Sequence, residues 1–193
     1  GLSEYGFTAA MDFGNPIATE QAAAALVKLD QQGKVPLRLS LLHAVNTPEL
    51  AKTAVIDSTK LAKQARSAHV WVDTLKIIGD SVLENQKAAL EQPYLKDGKP
   101  TSNFGALYFD KPTLLAMMQG VAKAGQGTAI HAIGDRAVRT ALDAAQAFRQ
   151  AGDTKTRLII THAQLVEPDQ IKRFAANNVI VQTTGVWMNV QPS

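Results

Sequence analysis

Apolar positions along the chain fall into short extended runs separated by longer runs with helical spacing. Phe7-Thr8-Ala9-Ala10-Met11-Asp12 reads as a strand ending on a polar residue, with Gly14, Asn15 and Pro16 as its break. From Thr19, a good N-cap, Ala22, Leu26, Val27 and Leu29 continue as a helix toward Gly33. Residues 37–43 give a second strand. Thr47-Pro48-Glu49 then supplies an N-cap, a proline at the first helical position and an early acid, predicting a helix to about Arg66. Residues 73–78, 128–133, 158–162 and 179–183 read as strands three to six. Helices are predicted over 112–124, from Asp135 as N-cap through Phe148, and over 168–176. The middle one carries Ala137, Val138, Ala141, Leu142 and Ala145 on one face. Between strands three and four lies a long stretch with Pro93, Gly98, Pro100, Ser102 and Asn103, read as a functional or a disordered loop. No internal repeat or low-complexity tract interrupts this order.

Strict alternation of strand and helix implies a parallel sheet with right-handed crossovers. The choice is between an open doubly wound sheet and a closed barrel. No Gly-x-Gly-x-x-Gly follows the first strand and no phosphate-binding Gly-x-x-x-x-Gly-Lys-Ser/Thr occurs, which weakens the open sheet. Asp12, His43, His131 and His162 instead stand at strand ends, with Lys76 inside its strand, and strand C-termini build the active site of a (β/α)8 barrel. Six strands fall short of eight. The expected fold is therefore α/β, an incomplete (β/α)8 TIM-type barrel of about six parallel strands, with residues 1–193 as a single domain.

Composition narrows the function classes. The 193 residues are 46% hydrophobic and 19% charged, enough for a sizeable core. A net charge of +3, 6% aromatics and no Lys/Arg block give no footprint of a nucleic-acid partner. Zero cysteines exclude disulfides, Cys-ligated zinc, iron–sulfur clusters and a thiol nucleophile. No apolar run approaches the ~20 residues that span a bilayer, so no membrane partner is expected. No signal-peptide pattern opens the chain, but it starts at Gly1, which leaves room for an upstream targeting segment. A cytoplasmic location is the expectation.

His131, in His-Ala-Ile-Gly-Asp, and His162, in Thr-His-Ala-Gln, end successive strands. On neighbouring barrel strands about 5 Å apart their imidazoles reach one point above the mouth, an arrangement suited to zinc. Hydrogen bonding of each ring to loop backbone is the competing explanation. Lys76 sits among Leu75, Ile77 and Ile78 and must lose its charge or find a counter-charge when buried. A neutral amine can form a Schiff base or take up carbon dioxide as a metal-bridging carbamate. An ion pair with Asp73 or Asp80 is the simplest reading of the residues alone. Structural roles are expected for Asp12 and His43, helix capping for Asp135, and a surface position for His69.

Several segments resemble one family. Leu75-Lys76-Ile77-Ile78-Gly79-Asp80-Ser81, running on through Ala88-Ala89-Leu90 to Pro93-Tyr94, is similar to a signature of the amidohydrolase superfamily, in the branch of N-substituted formamide deformylase-like enzymes (amidohydrolase family 3). His131-Ala132-Ile133-Gly134-Asp135-Arg136-Ala137-Val138 resembles the next signature, and residues 157–164, containing His162-Ala163-Gln164, the third. Gly6-Phe7-Thr8 with Asp12, and Leu37-Arg38, resemble the family's opening barrel segments. The resemblance implies a metal-dependent hydrolase of amide or other C–N bonds acting on a small-molecule substrate. It makes Lys76 a carboxylated bridging ligand, His131 and His162 the histidine ligands, and zinc the metal, with one or two ions. Asp80, Tyr94 and Gln164 would then shape the substrate pocket. The family's His-x-His pair is absent, its last-strand aspartate would lie beyond Ser193, Ser81 replaces a common glycine, and Thr161 stands where glutamate is usual. The chain is thus expected to be the central part of a barrel lacking its first and last strands, inactive by itself and self-associating through exposed barrel edges. A metal-free Schiff-base lyase using Lys76 and a degenerate, non-catalytic ligand-binding barrel are the alternatives.

Overall fold

The computed structural model describes residues 1–13 and 19–185. Its main sheet has six parallel strands: β1 (Ala9–Asp12), β2 (Arg38–Val45), β3 (Val70–Ile78), β6 (Gly127–Ala132), β7 (Leu158–His162) and β8 (Val179–Gln182). A small antiparallel hairpin, β4 (Leu95–Lys96) and β5 (Lys99–Pro100), interrupts the series. The strand order in the sheet is β1-β2-β3-β6-β7-β8. This order never reverses, so the sheet has no switch point of the kind that defines a doubly wound fold. It curls in one direction as an incomplete TIM-type barrel. The expected break at Gly14, Asn15 and Pro16 lies outside the described residues.

The helices are α1 (Thr19–Gln31), α2 (Pro48–Ala51), α3 (Ala54–Gln64), α4 (Lys111–Lys123), α5 (Asp135–Gln150) and α6 (Pro168–Ala176). The Thr47 hydroxyl accepts the Leu50 N–H, and the Asp110 carboxylate accepts the Thr113 N–H at 2.9 Å, each capping a helix that opens on a proline-containing turn. The single helix expected over 47–66 is divided. The Lys52 and Thr53 N–H groups bond the carbonyls of Glu49 and Leu50, three residues back, a tight turn that ends α2 before α3 begins. Asp135 does not cap α5; Gly134 occupies that position, and the Asp135 carboxylate takes the Glu91 N–H at 2.9 Å.

Two apolar layers form around the sheet. On its outer face Leu75, Ile77, Ile130 and Ile160 pack on Leu114 and Met118 of α4 and Val138, Leu142 and Phe148 of α5. Farther toward β1, Leu41, Val70 and Val72 pack on Ala23 of α1 and Leu61 of α3. On the inner face Leu42, Ala129 and Ile159 form a smaller cluster with Met11 and Phe13 against it. The long stretch between β3 and α4 is an organised loop. Tyr108 N–H bonds Gly79 O at 2.8 Å, Leu90 N–H bonds Phe104 O at 2.9 Å and Tyr94 N–H bonds Asn103 O at 2.8 Å. Among the described residues no helix is long and apolar enough to cross a membrane.

Candidate metal centre

A break in β3 decides where Lys76 points. Side chains alternate faces along a strand, so Val72 and Leu75, three residues apart, belong on opposite sides. Both nevertheless lie on the outer face, Val72 with the α1/α3 cluster and Leu75 with the α4/α5 cluster. The pairing with β2 explains this: Leu41 matches Val72 while the next residue, Leu42, matches Thr74, leaving Asp73 as an extra residue in a bulge. The bulge reverses the phase of the rest of the strand and sends Lys76 inward. There it lies level with Ala44 on β2 and Ala129 on β6, whose small side chains leave room for its stem.

Asp73 is held in the bulge by four donors: Ser40 Oγ at 2.7 Å, Trp71 Nε1 at 3.1 Å, Thr74 Oγ1 at 3.0 Å and the Arg157 guanidinium at 3.0 Å. It does not pair with Lys76, and neither does Asp80, so the ion pair expected from the residues alone is replaced by something else. Lys76 is 3% exposed. Its Nζ donates to Thr161 Oγ1 at 2.5 Å and lies 4.8 Å from the centroid of the Phe13 ring. Burial alone pulls its pKa down to about 7, so a substantial share of the amine is neutral near neutral pH.

The two strand-end histidines meet above this lysine. His131 pairs in register with Thr161, and His162 with Ala132, so simple alternation would put the two rings on different faces. His162 and Ala163 instead adopt left-handed backbone, with φ of 74° and 44°. The rings come together with centroids 4.5 Å apart, edge to face at 67°. Left-handed backbone at a non-glycine residue costs about 1–3 kcal/mol and is concentrated at functional sites. Burial, followed by the neighbouring His162 and Lys76 charges, depresses the His131 pKa to about 3. Burial and then Lys76 depress His162 to about 4. Both imidazoles are therefore neutral at pH 7, the form that ligates metal.

Asp80, expected at the substrate pocket, is fully buried behind His131. Its carboxylate accepts the N–H groups of Ala89 at 3.1 Å, Ile133 at 3.0 Å and Gly134 at 2.8 Å, joining the ends of β3 and β6 to the long loop. Burial lifts its pKa to about 6 against the opposing pull of those three bonds. His131 Nε2 lies 3.5 Å from Asp80 Oδ1 but makes no hydrogen bond, although it is buried. Gly134 is required here, since a Cβ would stand 2.0 Å from Ala89 O. Tyr94 is placed within the loop, its hydroxyl donating to Ala88 O at 3.0 Å. Gln164 is half-buried, two residues beyond His162 in the left-handed turn.

The remaining candidates stand apart. Strand β2 runs two residues past His43, which faces outward at the level of Leu75 toward Glu20 and Asp57; burial lowers its pKa against those two charges. Asp12 is exposed at the end of β1. His69 is on the surface, where its Nδ1 is 2.8 Å from Asp30. A cavity of about 400 Å³ lined by Arg66, Trp71, Asp73 and Gln126 lies at the N-terminal ends of the strands, away from the histidines. Two contributors were not singled out as site residues in the sequence: Thr161 and Phe13, both beside Lys76. Phe13 adjoins Asp12, and Thr161 adjoins His162 and departs from the glutamate usual in the family resembled; these are the signals the sequence offers.

The donor set fits a divalent metal in a specific way. Among the described residues no three His, Cys, Asp or Glu side chains cluster as a metal site. Two neutral imidazoles and a buried, uncompensated lysine do converge, one imidazole nitrogen being buried without a hydrogen bond. A protonated lysine repels a cation, so this set suits a metal when Lys76 is not held as an ammonium.

Comparisons with known proteins bear on the family and the fold. The chain is 27% identical over 184 residues to the exoenzymes regulatory protein AepA of Pectobacterium carotovorum subsp. carotovorum, covering 94% of this chain and 38% of that protein. It is 26% identical over 166 residues to N-substituted formamide deformylase of Arthrobacter pascens, covering 84% of this chain and 29% of that enzyme. The chain thus spans well under half the length of these relatives. A solved structure from Pyrococcus horikoshii OT3, described as an uncharacterized metal-dependent hydrolase, superimposes with a TM-score of 0.69 at 25% identity, over 94% of this chain and 34% of that one. A Pyrococcus furiosus protein of the same description shares the fold, with a TM-score of 0.69 at 24% identity over 91% and 33%. Residues 1–187 match the sequence profile of the amidohydrolase family, and the chain belongs to that family.

Proposed function

We propose that this chain supplies the core of a metal-dependent hydrolase centre acting on amide or other C–N bonds of a small-molecule substrate. Lys76, His131 and His162 are the metal ligands, and zinc, as one or two ions, suits their mixed nitrogen and oxygen donors. The observation that carries this reading is the meeting of two neutral imidazoles above a lysine that is buried without a counter-charge. When bound, the metal supplies Lewis acidity toward the substrate carbonyl and toward the water that attacks it. The chain's own residues do the rest. His131 and His162 present unprotonated ring nitrogens. Lys76, once carboxylated, contributes an anion with two oxygens. Asp80 fixes the strand end that carries His131, Tyr94 braces the loop edge, and the Gln164 amide hydrogen-bonds the substrate.

Metal analysis tests this on protein purified without a metal-affinity tag. Zinc at about one equivalent or more is expected for the wild type, with loss of most of it in both Lys76→Ala and His131→Ala. Wild-type metal content in those two variants would overturn the assignment. A second reading, a metal-free Schiff-base lyase, draws on the same partly neutral Lys76 amine. Borohydride in the presence of a carbonyl substrate would trap that lysine covalently, whereas a carbamate is not trapped.

A further inference from the structure

We propose that Thr161 is the positioning residue that presents Lys76 Nζ to carbon dioxide. The inference rests on the reading of Lys76 as a carboxylated ligand and assigns the step that makes it one. Thr161 is fully buried on β7, level with His131, and its Oγ1 is the acceptor for Lys76 Nζ. The same hydroxyl donates to Ile130 O at 3.3 Å.

A threonine hydroxyl has one proton and two lone pairs. With the proton directed to Ile130 O, the oxygen offers only lone pairs to Lys76. It therefore accepts an N–H and cannot occupy the nitrogen lone pair. Among the described residues no carboxylate lies within ion-pair distance of Lys76 to hold it as an ammonium. The Phe13 ring closes another side of the amine and offers no hydrogen-bonding oxygen or nitrogen.

In this setting the nitrogen lone pair of the neutral amine attacks the carbon of carbon dioxide. A C–N bond forms, one C–O π pair moves onto oxygen, and the nitrogen releases one proton to water. The product is a carbamate anion with one remaining N–H. That N–H keeps Thr161 Oγ1 as its acceptor, so the same hydrogen bond serves amine and carbamate and fixes the direction of the two new oxygens.

The test uses the protein equilibrated with ¹³C-bicarbonate and zinc, with the carbamate carbon observed by ¹³C NMR and zinc content measured on the same samples. The wild type is expected to show a carbamate resonance that Lys76→Ala lacks. Thr161→Val should lower carbamate occupancy roughly tenfold at equal bicarbonate, about the worth of one buried hydrogen bond. Thr161→Ser, which restores the hydroxyl, should return it to within about twofold. Circular dichroism establishes folding, and Thr161→Ala replaces the valine variant if added bulk prevents it. Undiminished carbamate in a folded variant lacking the hydroxyl overturns the role of Thr161 and leaves the metal reading standing, as does loss of the signal in a folded serine variant. A zinc-loaded wild type without any carbamate overturns the carboxylated-lysine reading itself, and the Thr161 role falls with it.

Discussion

Asp80 gathers three backbone N–H groups onto one buried carboxylate, and the ends of β3, β6 and the long loop meet there. Removing a buried acceptor leaves its donors unsatisfied, at about 1–3 kcal/mol for each group. Asp80→Ala is therefore expected to lose about 3 kcal/mol or more of stability, read as a lower urea midpoint. A midpoint equal to that of the wild type would contradict this role. The residue also marks a boundary of what sequence can tell. That Asp80 is important follows from its place beside the Lys76 signature. That it faces backbone donors rather than substrate does not, because two of the three donors, at Ile133 and Gly134, lie more than fifty residues away. Lys76 is similar. Its burial is legible from Leu75, Ile77 and Ile78, whereas its partner, Thr161, is 85 residues distant and comes near only when β7 takes its place in the sheet.

At the scale of elements, strand β3 depends on the Asp73 bulge. The Asp73 carboxylate is raised by burial, but the Ser40 hydroxyl, the Arg157 guanidinium and the Thr74 hydroxyl outweigh this and hold its pKa below the usual range. A carboxyl whose folded pKa lies below its unfolded value of about 3.9 stabilises the fold above that pH. The contribution is lost as pH falls from about 4 through the lower folded value. Urea unfolding of wild type and Asp73→Asn across pH 7 to 3 should show the wild type losing more stability below pH 4. Parallel curves would contradict the coupling. The bulge also explains an element that reads poorly. Val70-Trp71-Val72-Asp73-Thr74-Leu75 has no continuous period of two, so the first three residues of β3 escape a pattern-based reading and the strand is expected to start at Asp73. The turn between α2 and α3 is hidden for another reason: Lys52 and Thr53 carry no glycine or proline to announce it. Elements with an uninterrupted pattern, such as α5 and β7, are legible nearly to the residue.

For the whole molecule, the unreversed strand order β1-β2-β3-β6-β7-β8 puts Lys76, His131 and His162 on three adjacent strands, β3, β6 and β7. Alternating strands and chemically capable strand ends make that architecture readable from sequence. Among the described residues β1 and β8 each pair on one side only, and Ile180 and Val181 on β8 are 49% and 45% exposed. Open, apolar edges recruit further strands. We propose that this chain associates with second copies of itself through them, so light scattering after size exclusion should give a mass above 20.7 kDa that rises with concentration. A constant monomer mass at high concentration would refute the association. The left-handed turn at His162 and Ala163 sets a further limit on the molecule. Glycine adopts that backbone without strain, so Ala163→Gly is among the simplest stabilising changes open to this chain. The same change would free the hinge that aims His162 at its partner ring. Relief of backbone strain and the aim of the imidazole thus pull in opposite directions at a single position.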